Sequence, residues 1–249
     1  MSSVHVAIVP ETVFHIGSFP VTNSLLTAWV TMAVIIVFAI LFSRNIKAVP
    51  GKIQAALEYV IDSLLSFLET VSGDRKIAER FFPIVATIFL YILLSNWAGI
   101  LPGVGSIGIK EVEEGTTKLV PLFRSTFSDL NMTMALALIA VVLSHYFGLK
   151  TVGFKEHIGK FVNFKGPVDA FAGALEIVGE ISKIISLSFR LFGNIFAGEV
   201  LLTIIAFLVP FIAPLPFLGL ELFVGLIQAL IFATLAMVAF SSFTRAHSH

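Results

Sequence analysis

The stretch SLSFRLFGNIFAGE, Ser186 to Glu199, sets an arginine inside a run of large apolar residues. No acid lies within four residues of Arg190 on either side. The surrounding pattern runs from Pro167 to Val209 with helical periodicity. At 1.5 Å per residue such a helix would reach about 64 Å, roughly twice a ~30 Å hydrocarbon core. It must therefore tilt steeply, kink, or project beyond the membrane. A charge at the centre of a membrane helix costs about 2.5–3.5 kcal/mol on insertion scales, so its presence calls for a function.

Composition supports lipid as the solvent. Of 249 residues, 57% are hydrophobic and 13% are charged. Soluble domains carry about 25% charged residues. A mean hydropathy of +0.98 cannot be hidden in one globular core of this size. The apolar runs are long and continuous rather than short and alternating, which predicts helices and not a barrel.

Four further spans follow: Leu25 to Phe42, Phe81 to Leu101, Leu130 to Leu149, and Phe217 to Phe243 after the turn marked by Pro210, Pro214 and Pro216. Between the first two lies KIQAALEYVIDSLLSFLET, with Ile53, Ala56, Leu57, Val60, Ile61, Leu64, Leu65 and Leu68 on one helical face. Gln54, Glu58, Asp62 and Glu69 fall on other sides, so this helix is expected to lie in the interface. A soluble amphipathic cap is the other reading of that segment. The expected fold is an all-α membrane protein, residues 1–249 forming one integral membrane domain. It has five transmembrane helices and one interfacial amphipathic segment at 51–80. The last two spans, 167–245, form a long tilted hairpin, and residues 1–20 lie outside. The roughly 25 residues after Leu101 read as a glycine-rich polar loop, and the segment bearing Lys150, Lys155, Lys160 and Lys165 as another. Trp97 fits an interfacial belt position.

Lysine and arginine counts orient the chain. Eleven lie on the side holding Arg44, Lys47, Lys52, Arg75, Lys76, Arg80 and Arg245, against three opposite, Lys110, Lys118 and Arg124. The N-terminus is then outside and the C-terminus cytoplasmic. The first twenty residues show no basic region followed by a short apolar core, so no cleavable signal is expected.

Two cations remain, Lys183 and Arg190, both in the long helix, together with Glu176, Glu180 and Glu199; Glu221 lies on the last helix. At about 100° per residue, Glu176, Lys183, Arg190 and Asn194 share one face. Glu199 is about 180° around from Arg190 and ~13.5 Å further along, so it is not that residue's partner. Glu221 shares a face with Gln228. Glu176, Glu180 and Lys183 fall towards the cytoplasm, and Glu199 and Glu221 towards the outside. The pattern points to two polar clefts that do not meet. Carboxylates exchange protons, whereas arginine stays charged. Arg190 is thus a fixed charge that repels a passing cation and attracts a carboxylate from another chain.

Plainer roles stand beside these. Glu176, Glu180 and Lys183 have intrahelical ion-pair spacing. Glu199 and Glu221 could simply pin the hairpin together. Arg190 could pair within the chain or reach a headgroup, and Asn194 and Gln228 could be interhelical glue. Asp129 and Asn131, with Asn23, sit at the outer ends of their spans and could widen the outer cleft; a helix N-cap explains Asp129 equally well. His145 reads as interfacial, and His247 and His249 carry no assignment.

Several chemistries have no support in the sequence. There is no cysteine and no G-x-x-x-x-G-K-[ST]. No HExxH or clustered histidine set points to a metal, and Ser186 and Ser188 lack a nearby histidine base. No cofactor is expected, and zero net charge argues against nucleic acid as a partner.

The run SLSFRLFGNIFAGE closely resembles the signature of subunit a of the rotary (F-type) ATP synthases. FLGLELFVGLIQALIF, SNWAGILPG, SDLNMTMALAL and TNSLLTAW resemble that family too, in the right order. The likeness looks bacterial. It implies a non-catalytic stator subunit of the plasma (inner) membrane, multi-pass, working against a rotating c-ring and beside b-type peripheral stalk subunits. It implies that Arg190 faces the ring carboxylate and that Asn194 lies one turn on. It further implies that Glu199 serves the outer half-channel, Glu176 the inner one, and that Gln228 faces the arginine. Glu221 stands where some members carry histidine. Protons, or alternatively sodium, would pass through two offset half-channels. A self-contained secondary transporter is the alternative; it would need its own substrate pocket and often inverted repeats, and neither is visible.

Overall fold

The computed structural model describes residues 9–101, 107–113, 116–161, 166–210 and 212–244. Lys165, Arg245, His247 and His249 lie outside the described residues, as do residues 1–8 and the side chains of Lys110 and Lys118. The element order is β1 (Thr12–Ile16), β2 (Phe19–Thr22), α1 (Asn23–Arg44), α2 (Lys52–Ser72), α3 (Arg75–Ile100), β3 (Gly108–Glu113), β4 (Thr116–Pro121), α4 (Leu130–Val152), α5 (Phe154–Phe161), α6 (Pro167–Leu208) and α7 (Pro214–Thr244). Among the described residues five helices, α1, α3, α4, α6 and α7, are long and apolar enough to cross a membrane.

Local chemistry sets the boundaries. Thr22 caps α1 by accepting the Leu25 N–H at 3.3 Å. Helix α2 stops at Gly73, whose φ of 69° lies in the left-handed region that favours glycine, and its N–H donates to Glu69 O at 2.7 Å. Asp74 then starts α3, its Oδ1 accepting the Lys76 N–H at 2.7 Å. Within the expected segment 51–80, α2 ends at Ser72. Arg75 to Arg80 already belong to the spanning helix, because the Gly73–Asp74 elbow ends one helix and caps the next. The long pattern at 167–209 is one continuous helix of 42 residues, about 63 Å.

Three elements differ from expectation. The N-terminal segment pairs as the β1–β2 hairpin, with Ile16 opposite Phe19 across Gly17 at φ 64°. The polar loop after α3 contains the β3–β4 hairpin, antiparallel from Gly108 opposite Pro121 to Glu113 opposite Thr116. Part of the lysine-bearing loop forms the eight-residue α5.

The chain divides into two compact units. One comprises Met1–Asn45, Leu90–Thr133 and Arg190–Leu230. Its interior mixes small polar residues with aromatics: Asn23, Ser24, Asn96 and Thr126 are buried, and Tyr91 packs edge-on to Phe127 at 5.8 Å. The other comprises Ile46–Phe89, Met134–Phe189 and Ile231–His249. Its core includes an aromatic cluster of Phe81, Phe147 and Phe240, centroids 5.0–5.7 Å apart, and Ala137, Ala140, Ala233 and Ala236 are buried as well. Small residues at such positions let membrane helices approach closely.

Candidate functional site

The first unit gathers charge around the second half of α6. Arg124 follows β4, is only 7% exposed, and directs Nε to Glu199 Oε1 at 3.0 Å. The same guanidinium donates from Nη1 to Val9 O at 3.3 Å, and its backbone N–H donates to Thr27 Oγ1 at 3.1 Å. Buried Glu221 on α7 lays its carboxyl over Gly198. A β-carbon at residue 198 would overlap both carboxyl oxygens, so glycine makes room for the acid beside Glu199. Helix α7 is held there by α3: Asn96 Nδ2 donates to Gly225 O at 3.2 Å and Trp97 Nε1 to Leu222 O at 3.1 Å. Trp97, expected at an interfacial belt, ties two helices.

Asp129 stands at the start of α4 with both carboxylate oxygens engaged. Oδ1 accepts the Asn131 N–H at 2.9 Å, an N-cap, and Oδ2 accepts Ser24 Oγ at 3.0 Å. Asn131 itself is exposed. Asn23 Nδ2 donates to Pro121 O at 3.4 Å.

Along α6, Glu176, Lys183, Arg190 and Asn194 are all exposed, whereas Glu180, Leu187, Leu191, Ile195 and Gly198 are buried. The charged stripe thus turns away from the chain's own packing. Gln228 is buried on α7.

In the second unit, Glu180 receives Lys183 Nζ on Oε1 at 2.5 Å, the i,i+3 pair that the spacing allowed. Its Oε2 faces His145 Nε2 at 3.6 Å. His145 Nδ1 meets His157 Nε2 of α5 at 3.1 Å. Burial, then the neighbouring His145 and Lys160, push the proton affinity of His157 below that of an ordinary histidine.

Sequence reasoning did not find Arg124, Asn96 or His157 as site residues. Arg124 was counted only as an outer-loop cation, and nothing in its neighbourhood signals an acid 75 positions away.

Comparison with known proteins decides the family. The family model for the ATP synthase A chain matches residues 25–241. The ATP synthase subunit a of Syntrophobacter fumaroxidans is 34% identical over 245 residues, covering 96% of this chain and 91% of the relative. The chain belongs to the ATP synthase subunit a family. It is accordingly a multi-pass membrane protein, an ion-translocating stator component of the ATP synthase rather than its catalytic part, and it works with the other subunits of that complex.

Proposed function

We propose that this subunit passes protons through two offset half-channels to and from the carboxylates of a rotating c-ring. The single observation that carries the reading is the exposed stripe Glu176, Lys183, Arg190 and Asn194 on a helix whose opposite flank is packed. Most of α6 is not buried within the chain, which leaves room for a neighbour.

In this scheme a proton enters from outside past Glu199 and Glu221, with Asp129 and Asn131 near the outer ends of their elements. It neutralises a ring carboxylate, which can then turn into lipid where a charged one could not cheaply go. After nearly a full turn the carboxyl releases its proton near Glu176, Glu180 and Lys183 towards the cytoplasm. Arg190 holds the ionised carboxylate between the two clefts and blocks a direct leak. Gln228 and Asn194 line the same passage. Each charge crossing gains about 2.3 kcal/mol per 100 mV. The c-ring and b-type stalk subunits are the partners, the membrane is the bacterial inner membrane, and the N-terminus lies outside.

Replacing Arg190 by Ala in the complex and measuring proton flux and ATP synthesis tests this. Coupled synthesis should be lost and passive flux allowed. Retained coupling would overturn the scheme. Flux driven by sodium alone would keep the half-channels and change the ion.

A further inference from the structure

The stator reading names Glu180 and Lys183 but gives no part to the two histidines beside them, His145 and His157. Glu180 is 7% exposed, and its two oxygens have different surroundings. Oε1 is held by Lys183. Oε2 is fully buried, accepts no hydrogen bond, and faces His145 Nε2 at 3.6 Å. His145 is 28% exposed and lies against His157, its Nδ1 and the His157 Nε2 being 3.1 Å apart. A contact of that length holds one hydrogen, so one ring donates and the other accepts. Phe161 packs against both rings with centroids at 5.6 Å. Helix α5 is seated on α6 at Gly173, where a β-carbon would strike the Phe161 carbonyl. Three helices therefore converge on a buried carboxylate with one oxygen reserved for an imidazole.

We propose that Glu180, His145 and His157 form a proton-exchange site, through which the buried carboxyl trades its proton with cytoplasmic water. This rests on the stator reading above and adds a route to its inner side. The neutral carboxyl gives its Oε2 proton to Nε2 of His145. The charge then spreads over the imidazole pair as one cation shared across the Nδ1···Nε2 contact. The proton leaves to water from Nε2 of His145, the nitrogen that received it, while Nδ1 stays engaged with His157, and Lys183 balances the carboxylate left behind. Running in reverse, the same steps reload Glu180. The charged and titratable groups around the pair are Glu180 and Lys183 from α6, His145 from α4, and His157 and Lys160 from α5. Burial, then His145 and Lys160, lower the proton affinity of His157, against the opposing pull of Glu180.

The test uses the assembled complex in inverted membrane vesicles, where the bath stands for the cytoplasm. ATP-driven proton uptake is followed while bath pH is varied. Glu180→Gln and His145→Gln should each slow uptake by about tenfold or more. They should also flatten its dependence on bath pH around the imidazole range, about 6 to 8. Added imidazole should restore part of the His145→Gln rate. His157→Gln, which keeps a hydrogen-bonding side chain, should shift the profile with a smaller loss, and it carries the same test should His145→Gln fail to assemble. Wild-type rates and profiles in these variants would overturn the proposal. So would slowed uptake with an unmoved profile and no imidazole rescue, which marks a packing role. In either case wild-type pumping together with loss in Arg190→Ala would leave the stator reading intact. Absent wild-type pumping, or normal pumping in Arg190→Ala, would strike at the stator reading itself.

Discussion

Arg124 Nε lies 3.0 Å from Glu199 Oε1, joining residues 75 positions apart. The cation comes from the segment between β4 and α4 and is almost wholly buried, while the acid keeps 31% of its side chain exposed. A carboxylate in such a place has both a fixed countercharge and contact with its surroundings. The pair ties the segment before α4 to α6.

Removing the guanidinium strands Glu199. Arg124→Ala should destabilise the subunit by about 1–3 kcal/mol, less than a fully buried pair because the acid is partly exposed. It should also lower ATP synthesis driven by an imposed proton gradient. Arg124→Lys keeps charge but loses the fork geometry and should recover only part of both. Thermal stability of the purified complex, read beside synthesis rate, checks the two effects together.

Gly198→Ala places a methyl group where the Glu221 carboxyl lies. The expected result is poor assembly or a cost of about 1–3 kcal/mol from overpacking. Shortening the opposing side chain in Gly198→Ala/Glu221→Ala should restore assembly without restoring ion flux. Equal assembly of the single and double variants would show that the two residues do not compete for space.

Gly173→Ala meets the Phe161 backbone carbonyl, which cannot move as a side chain does. Docking of α5 should weaken, and limited proteolysis should cut sooner near Gly153, the φ 94° residue that links α4 to α5. Proteolysis at the wild-type rate would argue that α5 holds its place by other contacts.

The lowered proton affinity of His157 fixes a sign for stability against pH. The unfolded chain, with histidine near pKa 6.5, binds more protons than the folded one, so stability rises with pH through that window. It should fall away as pH drops below about 6.5. His157→Gln removes the titrating ring and should reduce the slope between about pH 5 and 7. Thermal melts of the complex across that range provide the measurement.

Spans were legible because lipid demands long apolar runs, and the 42 residues of α6 keep that signal despite the charged residues set among them. The end of the amphipathic helix was legible in SGDRK, where Gly73 and Asp74 supply turn signals; that Arg75 to Arg80 join the next helix was not. The hairpins were not legible. Strands such as TVFHI and FPVT are too short to show alternation, and their pairing depends on a partner strand rather than on local pattern. Helix α5 has only eight residues, below the length at which periodicity speaks. At the site, Glu180 with Lys183 follows from helical spacing. Arg124 with Glu199, and Glu221 over Gly198, come from chain folding that no local window contains. Asp129 was open between cap and cleft; its hydrogen bonds place it at the start of α4 and against Ser24.

Because α6 runs unbroken from Pro167 to Leu208, it behaves as a ruler with an angular scale. Its ionisable groups cannot be re-spaced by bending at a hinge. One residue inserted between Lys183 and Arg190 would twist everything downstream by about 100° and advance it by about 1.5 Å. Seven inserted residues would bring the side chains back to within about 20° of their bearing, yet leave them two turns out of register in height. Azimuth and depth along this rod are thus separately measurable, and an insertion series would reveal which of the two the motor tolerates less.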